Sequence, residues 1–214
     1  MNTRNWIMPV VLTLLVIGAG IGIGYLFENF GENENVASAS SAYHLDLVIT
    51  TNNYFNSSVG NQPAFFVLSH GQLLSSANIT LPSKSTVVIT IFCYDDGNAS
   101  VDAKYLKVTG TQNNTELVMN NTMMNATQEA KGIHVAGEQT VSSLSASVVA
   151  HTFTIPALGI NIPVPLSSIV QTTITTGSSG TYSWQCEAAC GSGVTGWGGA
   201  MDTPGWMMGS ISVA

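Results

Sequence analysis

The pattern of apolar and polar positions changes character once along this chain. Residues 7–26 are almost uninterrupted apolar sequence, broken only by Pro9, Thr13 and several glycines. At about 1.5 Å per residue, a helix of that length reaches the roughly 30 Å of a bilayer interior. Beyond residue 42 the apolar runs become short, β-branched and aromatic, and Gly, Pro, Asn and Ser separate them. They predict strands at 44–51, 64–68, 78–81 and 86–93, weaker ones at 105–109 and 116–119, then 147–155, 171–175, 181–185 and 210–213. The run Thr86-Val-Val-Ile-Thr-Ile-Phe92 is the clearest, since turn residues bound it on both sides. No sequence period indicates internal repeats.

This pattern divides the chain into an N-terminal transmembrane anchor (1–27), a linker (28–42) and one extracytoplasmic domain (43–214). The fold class is all-β, a sandwich of Greek-key type preceded by one transmembrane helix. Residues 97–147 read as a long polar insertion with its own hairpin. Arg4 precedes the apolar run, whereas Glu28, Glu32 and Glu34 follow it, which orients the N-terminus to the cytoplasm. A cleaved signal peptide is the rival, because Ala37-Ser-Ala39 resembles a processing site. The apolar run exceeds the usual h-region of about 7–15 residues, so a retained single-pass anchor in the cell membrane is favoured.

Charge changes the picture further. Only 8% of residues are charged, with a net charge of −7, against about 25% in ordinary soluble domains. The few lysines form no basic patch, which excludes nucleic-acid binding. A surface with few titratable groups gains little charge on acidification, so the domain is expected to suit an acidic exterior, as in an acidophile. Six N-x-Ser/Thr sequons, at Asn56, Asn78, Asn98, Asn113, Asn120 and Asn125, fit a glycosylated outer surface. No nucleophile–base pair, phosphate-binding glycine loop or carboxylate dyad is evident, and Asp95-Asp96 reads as a turn.

The candidate chemistry lies in Tyr182-Ser-Trp-Gln-Cys186-Glu-Ala-Ala-Cys190-Gly191, a strand that delivers two thiols into a glycine-rich loop, and in His151 upstream. Thiolates suit soft metals and imidazole completes many copper sites. Cys186 and Cys190 equally suit a disulfide in an oxidising compartment. His151 is either a ligand or a core histidine bonded to backbone. Cys93 reads as a buried structural thiol, while His44, His70 and His134 have no local motif.

These segments, with Met207-Met-Gly-Ser-Ile-Ser-Val213, resemble a cupredoxin domain, specifically the copper-A domain of subunit II of haem–copper oxidases. The likeness covers residues 147–213 well and 44–93 in outline. It implies copper held by His151, Cys186, Cys190 and the Met207 sulfur, with the Ala188 backbone carbonyl between the cysteines. The family's second imidazole falls on Val194 counted from Cys190, or on Pro204 counted from Met207, and neither binds metal. The loop 194–206 is longer than the family pattern and brings Met201 and Asp202. The resemblance implies a non-catalytic subunit of a terminal oxidase in the respiratory chain. It would serve in electron transport from an external donor protein, or as a metal-free structural cap of a quinol oxidase beside subunit I. The alternatives are a free-standing anchored mononuclear copper carrier and a glycosylated surface-coat or binding module.

Overall fold

The computed structural model describes residues 42–50, 62–120 and 138–214. The expected anchor, nearly all of the linker, Asn56, Asn125 and His134 lie outside these residues. Among the described residues no helix is long and apolar enough to cross a membrane.

Among the described residues twelve strands form two sheets: β1 (Tyr43–Ile49), β2 (Phe65–Ser69), β3 (Gln72–Ser75), β4 (Asn78–Leu81), β5 (Thr86–Cys93), β6 (Glu116–Asn120), β7 (Gln139–Val141), β8 (Val149–Ile155), β9 (Ile160–Pro165), β10 (Ser168–Thr175), β11 (Gly180–Gln185) and β12 (Met208–Val213). The first sheet has the order β3-β2-β1-β5-β10-β6-β7 and the second the order β4-β12-β11-β8-β9. The pairs β1–β5 and β12–β4 are parallel, while the other strand pairs are antiparallel. The fold is therefore the expected all-β sandwich.

Period-two patterning builds the core. On β5, Val87, Ile89, Ile91 and Cys93 are buried at alternate positions, as the pleat requires. Across the sandwich Trp184, Phe153 and Phe65 pack together, with ring centroids 5.2 to 6.0 Å apart. The Trp184 indole N–H donates to the Ser76 carbonyl at 3.0 Å. Gly209 makes this possible, since a Cβ there would lie 2.6 Å from both the indole nitrogen and the Ser76 oxygen.

Three strands escaped the sequence pattern, each at or beside a sheet edge. In β9, Pro163 and Pro165 break the strand signal. A proline is tolerated because β9 is an edge and needs no outward N–H. The hairpin β2–β3 turns on His70 and Gly71, both at positive φ (51° and 75°), the backbone of a tight two-residue turn. The short β7 closes the far edge of the first sheet.

The expected strand at 105–109 is a correction. Residues Ala103–Leu106 form a 3-10 turn capped by the Asp102 side chain, followed by isolated bridges at Lys107 and Thr109. Thr109 and Asn161 exchange two backbone hydrogen bonds of 3.0 Å with β9. The ladder cannot extend toward Pro163, which has no N–H. Side-chain bonds hold the segment instead: Asn161 donates to the Tyr105 and Lys107 carbonyls. Among the described residues of 97–147, residues 105–109 lie along β9, and β6 and β7 extend the first sheet. All seven residues of β8 are buried.

One core residue breaks the apolar rule. Glu116 is 1% exposed, and neither carboxylate oxygen has a hydrogen-bond partner among the described residues. Burial pushes its pKa well above the ordinary glutamate value, so the neutral acid is favoured. An acid whose folded pKa is raised contributes stability that is fully present below its unfolded pKa and lost as pH rises through the folded one. The domain is therefore expected to become more stable on mild acidification. Glu116→Gln should raise the thermal midpoint at about pH 7.5 and leave it near wild type below about pH 4. Equal midpoints for the two proteins across the whole pH range would exclude this role.

Candidate metal centre

The site forms where β8 and the end of β11 meet the loop leading toward β12. A register shift between Val149 and His151 re-aims the start of β8, as bulges do. His151 is 1% exposed and lies edge-on to Phe65 at 6.2 Å. Cys186 follows β11 directly, and its N–H donates to the Met207 carbonyl at 2.8 Å. The turn to Cys190 is fixed from outside: Val101 bridges Ala188, and the Ala189 N–H donates to the Ser100 carbonyl at 2.9 Å. Gly191 then allows close approach, because a Cβ there would collide with the Gly198 carbonyl and lie 2.7 Å from Met201 Cγ.

These constraints bring together His151, Cys186 and Cys190, whose donor atoms all lie within 4.8 Å of one another. The His151 Nδ1 is 3.0 Å from the Cys190 Sγ and 4.0 Å from the Cys186 Sγ. The two sulfurs are 3.5 Å apart and both thiols are free, against about 2.05 Å for a disulfide. The Ala188 carbonyl oxygen faces both, 3.1 Å from Cys190 Sγ and 3.6 Å from Cys186 Sγ. The Thr152 N–H donates to Cys186 Sγ at 3.4 Å.

The remaining candidates fall differently. Met207 is fully buried, and its main chain borders the site by donating to the Ala200 carbonyl and accepting from the Cys186 N–H. Met201, 7% exposed, packs against the loop at Gly191. Val194 is wholly exposed at a loop tip, and Asp202 and Pro204 are also exposed. His44 and His70 are exposed, so His151 is the one histidine of the cluster among the described residues. Cys93 is buried with its thiol donating to the Asp95 carbonyl at 3.7 Å, outside the three-donor group.

The residue that sequence reading missed is Asp95. Its Oδ2 lies 2.9 Å from His151 Nε2, across 56 positions of sequence. Its only sequence signal was its place at the end of β5, where Asp-Asp-Gly looked like a plain turn.

The electrostatics follow from burial. Burial lowers the pKa of His151, but its bonds to Asp95 and Cys186 outweigh this and raise it to about 9. Burial also works against ionising Cys186. The Cys190 thiol and the His151 imidazolium stabilise its thiolate and bring its pKa well below the usual thiol value. Burial and the neighbouring thiolate push Cys190 the other way. These opposite directions favour ionising Cys186 before Cys190.

The donor atoms fit a soft, four-coordinate ion. With metal–nitrogen bonds near 2.0 Å and metal–sulfur bonds near 2.3 Å, neighbouring tetrahedral ligands stand about 3.5–3.8 Å apart. The distances from the sulfurs to the Nδ1, to the Ala188 oxygen and to each other bracket that range. Thiolates with imidazole suit copper and zinc, and a metal would take the place of the proton shared along this cluster.

Residues 100–196 match the family model of the cytochrome C oxidase subunit II periplasmic domain. The match runs through the segment expected to lie outside the likeness and ends before Met207. Comparison with curated proteins finds no match. Solved structures similar to the chain include auracyanin B, at 13% identity over 86% of this chain and 93% of that one, TM-score 0.32. Rusticyanin from Thiobacillus ferrooxidans shows 17% identity over 82% and 79%, TM-score 0.33. The blue copper oxidase from Nitrosomonas europaea shows 8% over 86% and 47%, TM-score 0.35. At such TM-scores these neighbours carry no argument. The chain holds a cupredoxin domain resembling oxidase subunit II.

The charge arrangement is open to direct test. Ultraviolet thiolate absorbance of the metal-free chain at neutral pH should report one thiolate, and His151→Ala should abolish it. Full absorbance in that variant would show that the imidazole does not stabilise the thiolate.

Proposed function

We propose that this chain is a copper-binding electron-transfer subunit of a terminal oxidase, with one ion held by His151, Cys186, Cys190 and the Ala188 carbonyl. The observation that carries this reading is the convergence of one imidazole nitrogen and two free thiols on a shared backbone oxygen at a buried end of the sandwich. The subunit II match over residues 100–196 supports the respiratory setting.

Copper, when bound, supplies one-electron redox chemistry. The protein's contribution is rigidity and exclusion of water. Backbone bonds from Ser100, Thr152 and Met207 hold the two thiols and the turn between them. The low exposure of His151, Cys186 and Cys190 keeps external oxidants from the sulfurs. Met201 and Met207 are the two thioether candidates beside the loop, Met207 having the family's spacing.

Single-pass anchoring with the domain outside the membrane, an acidic exterior and glycosylation belong to the same proposal. The exposure of Asn78, Asn98 and Asn113 supports glycan attachment.

A second reading rests on a specific observation: the two positions counted for the family's second imidazole, Val194 and Pro204, are both exposed and neither side chain binds metal. On that reading the metal is lost and the domain caps a quinol oxidase. Elemental analysis and electron paramagnetic resonance of the full chain purified from native membranes decide between them. The copper reading expects one copper per chain, lost in Cys186→Ser, Cys190→Ser and His151→Ala. A copper-free protein that stays colourless after reconstitution, with Cys186 and Cys190 bridged, would select the cap. Co-purifying haem subunits are expected in either case, and a solitary glycoprotein would reject the oxidase role.

A further inference from the structure

We propose that Asp95 is a positioning residue of the metal centre: its carboxylate fixes the His151 ring so that Nδ1 is the nitrogen presented to the two sulfurs. The inference rests on the metal-site reading above. It starts from a constraint on the ring itself. A ring 1% exposed has no water to satisfy its outer nitrogen, and a buried N–H without an acceptor is costly. Asp95 Oδ2 supplies that acceptor at 2.9 Å, while Nδ1 lies 3.0 Å from Cys190 Sγ. The two ring nitrogens are thereby assigned to opposite tasks.

Asp95 is itself held. Its other carboxylate oxygen accepts from the Gly97 N–H at 3.0 Å, and its carbonyl accepts from the Ser167 N–H at 2.8 Å. It also comes from the far sheet. β5 ends at Cys93 in the first sheet, whereas His151 lies on β8 of the second and the cysteines follow its strand β11. The contact ties the ends of the two sheets together at the site. Metal-ligating histidines commonly donate their second N–H to a carboxylate, and losing such a partner costs about 10–100-fold in metal affinity.

The test uses the purified full chain, with Co²⁺ as the probe, titrated by its thiolate-to-metal absorption. Asp95→Asn should weaken Co²⁺ binding by about 10–100-fold. Asp96→Asn, an equal charge change in the same turn, should leave it unchanged. Equal affinity in wild type and Asp95→Asn overturns the proposal while the metal site stands, and equal losses in both variants reduce Asp95 to a general charge effect and also overturn it. Should wild type take up no Co²⁺, the metal-site reading fails, and the imidazole NMR signals of the metal-free chain decide the role of Asp95 alone. A slowly exchanging His151 Nε2–H, lost in Asp95→Ala, supports it. Its absence in the wild type overturns it, whatever the folding of the variants.

Discussion

The arrangement of the site depends on one imidazole ring held between a carboxylate and a thiol. His151 sits at the bulged start of β8, and only its two nitrogens face polar groups, Asp95 on one side and Cys190 on the other. Because the ring is buried, both contacts are made at low effective dielectric, where each counts for more than at a surface. The imidazole's raised pKa and the thiolate character of Cys186 are two consequences of that placement. Were the ring to turn over, Nδ1 would no longer face the sulfurs and the outer N–H would lose its acceptor.

Everything around the ring serves to keep that orientation. The second sheet supplies His151 and, just past β11, the two cysteines, while the first supplies Phe65 and, just past β5, Asp95. The aromatic cluster of Trp184, Phe153 and Phe65 fills the space beneath the site, so the sheets cannot slide without opening a cavity. Residues 97–101 then close the cysteine turn from outside through the Ser100 carbonyl and the Val101–Ala188 bridge. A segment that reads as a polar insertion is therefore part of the centre's framework, which agrees with the family match beginning at residue 100. Polar contacts at the perimeter and apolar packing below make the cluster rigid before any ion arrives.

What could be read from sequence follows from how local each signal is. β4 and β5 appear at the expected residues because their alternation faces a single core and strong turn residues bound them. β9 was hidden since its prolines deny the usual strand signature, and only its edge position makes them tolerable. The 105–109 segment has strand-like composition, yet the missing N–H of Pro163 limits its pairing with β9 to one bridge. His151, Cys186 and Cys190 were legible by residue type and spacing, and Ala188 by its place between the thiols. Asp95 was not, because its role arises from a contact 56 positions away and its own neighbourhood spells a turn. Glu116 was equally silent, since its burial depends on which face of β6 turns inward.

The loop after Cys190 carries one of the two positions at which the family's second imidazole is expected, Val194. From Gly191 the chain folds back on itself: the Gly191 N–H donates to the Gly196 carbonyl, and Ser192 and Gly198 exchange a pair of hydrogen bonds. This hairpin turns outward, and Val194 at its tip is fully exposed. A histidine at that position would face solvent, so substitution there could not rebuild a second imidazole ligand. Further on, buried Met201 packs against Gly191, and the backbone of buried Met207 accepts from the Cys186 N–H. Among the described residues, the donors gathered at the site are the His151 imidazole and the two sulfurs, with the Ala188 carbonyl facing both sulfurs. The loop geometry, more than the residue at 194 alone, keeps that position in solvent while His151, Cys186 and Cys190 stay buried.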